Sequence, residues 1–156
     1  MFNKIRNKSG FTLVELLVVI SIIGFLTVSS VVVFNIVRMN ARDAVRVGNI
    51  ATVKRALAMY LNDSLTGYPP SNPGQCLALG SSVGTELRAK QVLLNVPVDP
   101  LWPATAPTNV TNGVAVSPSE KYCYFYFSDS KDQFRISYYL ESTSKSGNAG
   151  INITSQ

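Results

Sequence analysis

Residues 11–37 form an apolar run that carries a single charged side chain, Glu15. Such a run is long enough to cross a bilayer, which takes about 20 apolar residues. A carboxylate inside a span costs about 2.5–3.5 kcal/mol even on insertion scales, so Glu15 calls for a partner and marks a functional position. Lys4, Arg6 and Lys8 stand before the run with no acid among them, and the next charge after Glu15 is Arg38. Arg38 therefore marks the membrane boundary, and the basic leader predicts a cytoplasmic N-terminus with the bulk of the chain outside. A secretory signal peptide has a shorter apolar region followed by a small-residue cleavage site. Here the processing signal precedes the run, so the helix stays on the mature protein.

The junction Gly10-Phe11-Thr12-Leu13-Val14-Glu15, leading straight into the apolar helix, resembles the class III signal sequence of type IV pilins and type II secretion pseudopilins. The resemblance implies cleavage between Gly10 and Phe11 by a prepilin peptidase, which also methylates the new Phe11 amine. It implies a chain that rests in the cytoplasmic membrane, head outside, and then joins a cell-surface or periplasmic filament. Its partners would be membrane lipid, the peptidase/methyltransferase, an inner-membrane assembly platform and copies of itself. Later stretches extend the likeness: Arg42-Asp43 with Arg46, Gly67-Tyr68-Pro69, and Pro97-Val98-Asp99-Pro100. Gly24 matches a glycine of many pilin spans, but the proline that often follows it is replaced by Val32, flanked by Val31 and Val33. Loosening of the helix near Gly24 is left open by that departure.

The formal net charge of +5 invites a nucleic-acid reading. Removing the leader leaves 11 basic against 9 acidic side chains, a weak electrostatic footprint for a DNA binder. The chain has no histidine, which excludes His-based general-base chemistry and His metal ligation. No Ser/His/Asp set or Gly-rich phosphate loop is present either, and a structural rather than an enzymatic role follows. No cofactor or metal is expected: the tail Ser144–Gln156 lacks acids, and calcium needs six to eight oxygens, usually with several carboxylates, although Asp99, Asp129 and Asp132 offer oxygens elsewhere. Cys76 and Cys123 both fall in the exported part. They form either one disulfide, worth about 4 kcal/mol in the chain-entropy model, or two buried thiols.

The fold class is α+β and pilin-like. The first helix continues past Arg38 to about Asn62, near 80 Å at about 1.5 Å per residue. Ile50, Val53, Leu57, Tyr60 and Leu61 make an apolar face along its second half. Arg38, Arg42 and Arg46 line another face, either solvated or meeting headgroups or a neighbouring subunit's acids. Gly67, Pro69 and Pro70 stop the helix, and Ser71-Asn72-Pro73-Gly74 reads as a turn. A short helix is expected over Thr85–Leu94 with Leu87 and Leu94 inward, then a loop held open by Pro97, Pro100, Pro103 and Pro107. Val114–Val116 is a candidate strand. Tyr122–Ser128 and Phe134–Leu140 alternate as an antiparallel hairpin, with Cys123, Phe125 and Phe127 directed to the core and Tyr122, Tyr124 and Tyr126 outward. Ile151–Ile153 either adds an edge strand or stays mobile. The domains are thus a leader (1–10), a transmembrane or filament-core half-helix (11–37), an exposed half-helix (38–64) and a head (65–156).

In the assembly that the resemblance implies, Phe11 and Glu15 share a helical face by their spacing, and the carboxylate of one subunit meets the ammonium of a neighbour. The leading function is a structural subunit of a type IV pilus or pilus-like filament. Alternatives are a secretion pseudopilin, a minor tip subunit binding surfaces or DNA through Lys121, Arg135 and the strand tyrosines, and, remotely, a signal-anchored enzyme or sensor.

Overall fold

Helix formation is favoured without interruption from Leu13 to Asp63, because this stretch has no proline and its two glycines, Gly24 and Gly48, are isolated. In the computed structural model, which describes residues 10–101, 110–111, 114–115 and 123–156, the whole stretch is one helix, α1 (Leu13–Asp63). The leader bases Lys4, Arg6 and Lys8, the prolines Pro103 and Pro107, and Val116, Lys121 and Tyr122 lie outside the described residues. The chain divides into two compact units, Met1–Arg38 and Met39–Gln156.

In the first unit the helix runs through Gly24 and the valine triplet 31–33 without a break. Its described large apolar side chains between Leu13 and Val37 are exposed, and the helix is long and apolar enough to cross a membrane. Its hydroxyls turn back onto the helix: Ser21 donates to the Val18 carbonyl at 2.8 Å, Thr27 to Ile23 at 2.7 Å and Ser30 to Leu26 at 2.9 Å. That suits a hydrocarbon environment, which offers polar groups no other partner.

The second unit is built on the remainder of α1. Ile50, Val53, Ala56, Leu57 and Tyr60 recur at helical spacing and are buried together with Tyr124, Tyr126, Phe134 and Ile136 from a sheet. The sheet has four antiparallel strands in the order β1 (Ser71–Cys76), β4 (Phe125–Ser128), β5 (Arg135–Leu140) and β6 (Gly150–Ser155). A two-stranded ribbon pairs β2 (Val110–Thr111) with β3 (Val114–Ala115). The hairpin β4–β5 places Tyr126 opposite Ile136, and the tail supplies the edge strand β6. A disulfide joins Cys76 to Cys123, with Cα atoms 5.4 Å apart.

Three local expectations are corrected. Ser71–Gly74 is not a free turn but the start of the bulged edge strand β1. Pro73 is tolerated there because an edge strand lacks one set of ladder partners. Gly74, at φ +110°, lies so close to the Phe125 ring that a Cβ would collide with it. The short helix α2 runs over Ser82–Ala89, capped by the Ser81 hydroxyl accepting from the Gly84 N–H. It ends before Leu94, and Gln91 takes a positive φ of 56°. The chain leaves the helical period there, so Leu93 turns inward beside Leu87 while Leu94 is 65% exposed.

The third correction is the parity of β4. Tyr124 and Tyr126 face the helix and belong to the core, and Phe125 and Phe127 lie on the opposite face, also buried. Alternation could not separate the faces because β4 is an inner strand whose side chains are buried on both faces. Each core tyrosine has a hydroxyl partner: Tyr124 accepts from Asn49 Nδ2 at 2.9 Å, and Tyr126 donates to the Pro69 carbonyl at 2.9 Å. Burial pushes the Tyr124 hydroxyl up to about 12.

Leu57 is fully buried between helix and sheet, whereas Met59, two residues on, is half exposed. Leu57→Ala should lower the stability of the second unit by about 2–5 kcal/mol, and Met59→Ala by well under that. Chemical denaturation of the detergent-solubilised chain, followed by tyrosine near-UV circular dichroism, measures the difference.

Candidate functional site

Two places in the chain hold charge where burial or apolar surroundings make it expensive. The first is the start of α1. Phe11 and Thr12 precede the first helical residue, Leu13. The helical i, i+4 spacing expected of Phe11 and Glu15 therefore does not apply. Glu15 instead folds back on Thr12. Its carboxylate accepts from the Thr12 N–H at 2.9 Å and from the Thr12 hydroxyl at 2.8 Å, and its own N–H donates to that hydroxyl oxygen at 3.3 Å. This is a capping box with Thr12 at the N-cap and Glu15 at the third helical position. The pattern Thr-x-x-Glu before an apolar run carries that signal in the sequence, where the leader-and-span reading passed over it. The carboxylate also sits where the helix macrodipole favours a negative charge. Gly10 and Phe11 are exposed at this end.

The second place is Arg46, whose side chain is 0% exposed. Its guanidinium reaches three carboxylates: Asp99 at 2.7 Å, Asp43 at 2.8 Å and Glu141 at 2.6 Å. Arg42 binds Glu141 from the rim. The arginine row is thus split, with Arg38 exposed and Arg42 and Arg46 committed to acids of their own chain, not to solvent or a neighbouring subunit. Five N–H donors in a planar fork allow one arginine to bind several carboxylates at once. Asp43 also accepts from the backbone N–H groups of Glu141 and Ser142 and from the Ser142 hydroxyl, and Asp99 accepts from the Leu101 N–H. Burial pushes the Asp43 carboxyl up, but its bonds from Glu141, Ser142 and Arg46 together hold it below the usual range. Hydrogen bonding from Arg42, aided by Arg46, holds Glu141 below its usual value against its own desolvation. Burial opposes the Arg46 charge, and its bonds to Asp99 and Glu141 outweigh that and raise it.

The remaining sequence candidates disperse. Asp99 is consumed by Arg46, and Asp129 and Asp132 are exposed in the hairpin turn. Among the described residues no cluster of three metal-ligating side chains occurs. Tyr124 and Tyr126, which the DNA-binding alternative would use as a stacking face, are buried against α1.

Residues 5–31 match the family model described as the prokaryotic N-terminal methylation motif. This is the class III signal of type IV pilins and pseudopilins, and it supports a pilin-like or pseudopilin precursor. It indicates a structural subunit rather than an enzyme, implies prepilin peptidase processing and pilus assembly, and fits membrane anchoring before assembly. No curated protein and no solved structure gives a significant match to the chain.

Removing Arg46 leaves three carboxylates without their shared cation. Arg46→Met should cost about 3–5 kcal/mol at neutral pH. The pH dependence follows from the lowered Asp43 and Glu141 values. Their contribution is fully present above the unfolded values of 3.8 and 4.5 and is lost as pH falls through the still lower folded values. Thermal unfolding should therefore be steady from neutral pH to about pH 5 and fall steeply below about pH 4. In Arg46→Met that acid limb should flatten.

Proposed function

We propose that the chain bearing this methylation motif is the precursor of a structural subunit of a type IV pilus or pilus-like filament. The observation that carries the reading is the motif at residues 5–31, with Glu15 the lone acid of the apolar run. Residues 1–10 are the leader, 11–37 the span and later the filament core, 38–64 the helical part of the head, and 65–156 the rest of it. The leader faces the cytoplasm and the head faces outward. Prepilin peptidase hydrolyses the Gly10–Phe11 bond and N-methylates the Phe11 amine, which keeps its positive charge.

On assembly the apolar surface of α1 moves from lipid into a bundle of identical helices. Hydrocarbon replaces hydrocarbon there, so packing and polar pairing must discriminate between registers. The Glu15 carboxylate, held by Thr12 in the single chain, turns to the Phe11 ammonium of a neighbour. Either charge left alone in apolar surroundings is costly, so the stagger that pairs them is favoured. The contact joins different surfaces of successive subunits, and such a contact propagates as an open helix. A secretion pseudopilin carries the same kind of signal and is the second reading. A DNA-binding tip subunit loses its main support with the burial of Tyr124 and Tyr126.

Gly10→Val should leave an unprocessed precursor with residues 1–10 attached. Intact-mass analysis that still finds Phe11 as the N-terminus would refute the cleavage assignment. Glu15→Ala should be processed and inserted normally yet yield few filaments. Wild-type amounts of sheared filament from that variant would remove the pairing model.

A further inference from the structure

Within the second unit, beside the Arg46 cluster, a cavity of about 310 Å³ is lined by Asn40, Asp43 and Ala44 of α1 and by Ser142, Thr143, Ser144 and Ser146. Its hydrogen-bonding is lopsided. Asn40 Oδ1, at 2.9 Å, and Asp43 Oδ2, at 2.8 Å, share the single proton of the Ser142 hydroxyl. Thr143 accepts from the Ala149 N–H and Ser144 from the Ser146 N–H, so each keeps its own hydroxyl proton. The Ser146 hydroxyl has no partner among the described residues. The one carboxylate in the lining, Asp43, is already engaged by Arg46, by the Glu141 and Ser142 N–H groups and by the Ser142 hydroxyl. Lys145 lies in the same loop and is exposed. The cavity thus presents several hydroxyl donors, its acid is engaged by other groups, and the loop that lines it carries a lysine, which suits the oxygens of a phosphodiester.

Its place in the chain selects the source. Asn40 follows Val37, the last apolar residue before Arg38, by three residues, no more than about 11 Å of chain. The headgroup layer outside a bilayer's hydrocarbon core is about 5–8 Å deep. We propose that this cavity, built from Asn40 and the Ser142–Ser146 loop, binds a phospholipid headgroup phosphate and seats the head on the membrane surface before assembly. The inference rests on the membrane-anchored reading of the chain. A subunit leaving the bilayer for the filament must then give up a headgroup contact as well as its lipid-facing surface.

Amide hydrogen exchange on the full chain tests this. It is compared in nanodiscs of phosphatidylethanolamine and phosphatidylglycerol and in dodecyl maltoside micelles, which carry no phosphate. The amides of Thr143–Gly147 should exchange about tenfold more slowly in the nanodiscs. The double variant Lys145→Gln/Ser146→Ala, which breaks none of the hydrogen bonds described above, should abolish the difference and leave β4 and β5 protection unchanged. Equal exchange in the two media, or slowing that survives in the double variant, overturns the proposal. So does equal slowing by inorganic phosphate added to the micelles, which would make the cavity a general anion site. Rapid exchange across Leu16–Val37 in the nanodiscs would instead show that the membrane-anchored reading itself has failed.

Discussion

One guanidinium ties the second unit together. Arg46 on α1 is buried against Asp43 one turn away, Asp99 in the proline-flanked turn and Glu141 at the end of β5. A buried charge that loses a partner is far more costly than a surface pair, so these segments come together as a set. The neighbouring Asn49 reinforces the arrangement, donating to both the Val98 carbonyl and the Tyr124 hydroxyl. Hydrophobic burial holds the sheet to the helix, but it does not fix where along the helix the loop and the strand ends must sit. The ionic cluster does, because hydrogen-bond geometry is short-ranged and directional.

The two halves of α1 use charge in opposite ways. Around Arg46 every charge is answered within the chain. In the first unit, among the described residues, the lone carboxylate is answered by Thr12, through bonds that an ammonium could displace, while the apolar surface around it stays uncovered. A single chain with that surface needs lipid or other helices. In the function proposed above, the same segment serves first as a membrane anchor and then as a polymerisation surface, with Glu15 setting the register.

Much of this architecture is legible in the sequence because it is periodic. The apolar face from Ile50 to Tyr60 gives the buried side of α1, and the alternation of Phe134, Ile136, Tyr138 and Leu140 gives β5 with its inward side chains. Periodicity fails where both faces are covered: Tyr124 and Tyr126 take the helix side because Asn49 and Pro69 satisfy their hydroxyls, a long-range match that the strand cannot announce. Ser71–Cys76 hides as a strand because Pro73 and Gly74 are turn residues that an edge bulge also accepts. The Arg42 and Arg46 partners lie 53 to 99 residues away, beyond any local pattern, although the nearby Asp43 is an (i, i+3) neighbour that spacing alone could have suggested. The Thr12–Glu15 box was fully local and readable.

Electron cryomicroscopy of filaments sheared from cells producing this chain tests the central claim most directly. Helical filaments are expected whose central density is the segment from Phe11 to Val37, with residues 1–10 absent and the Glu15 carboxylate beside the Phe11 amine of an adjacent copy. A chain that remains in the cytoplasmic membrane with residues 1–10 attached, and contributes no density to any surface filament, would contradict it.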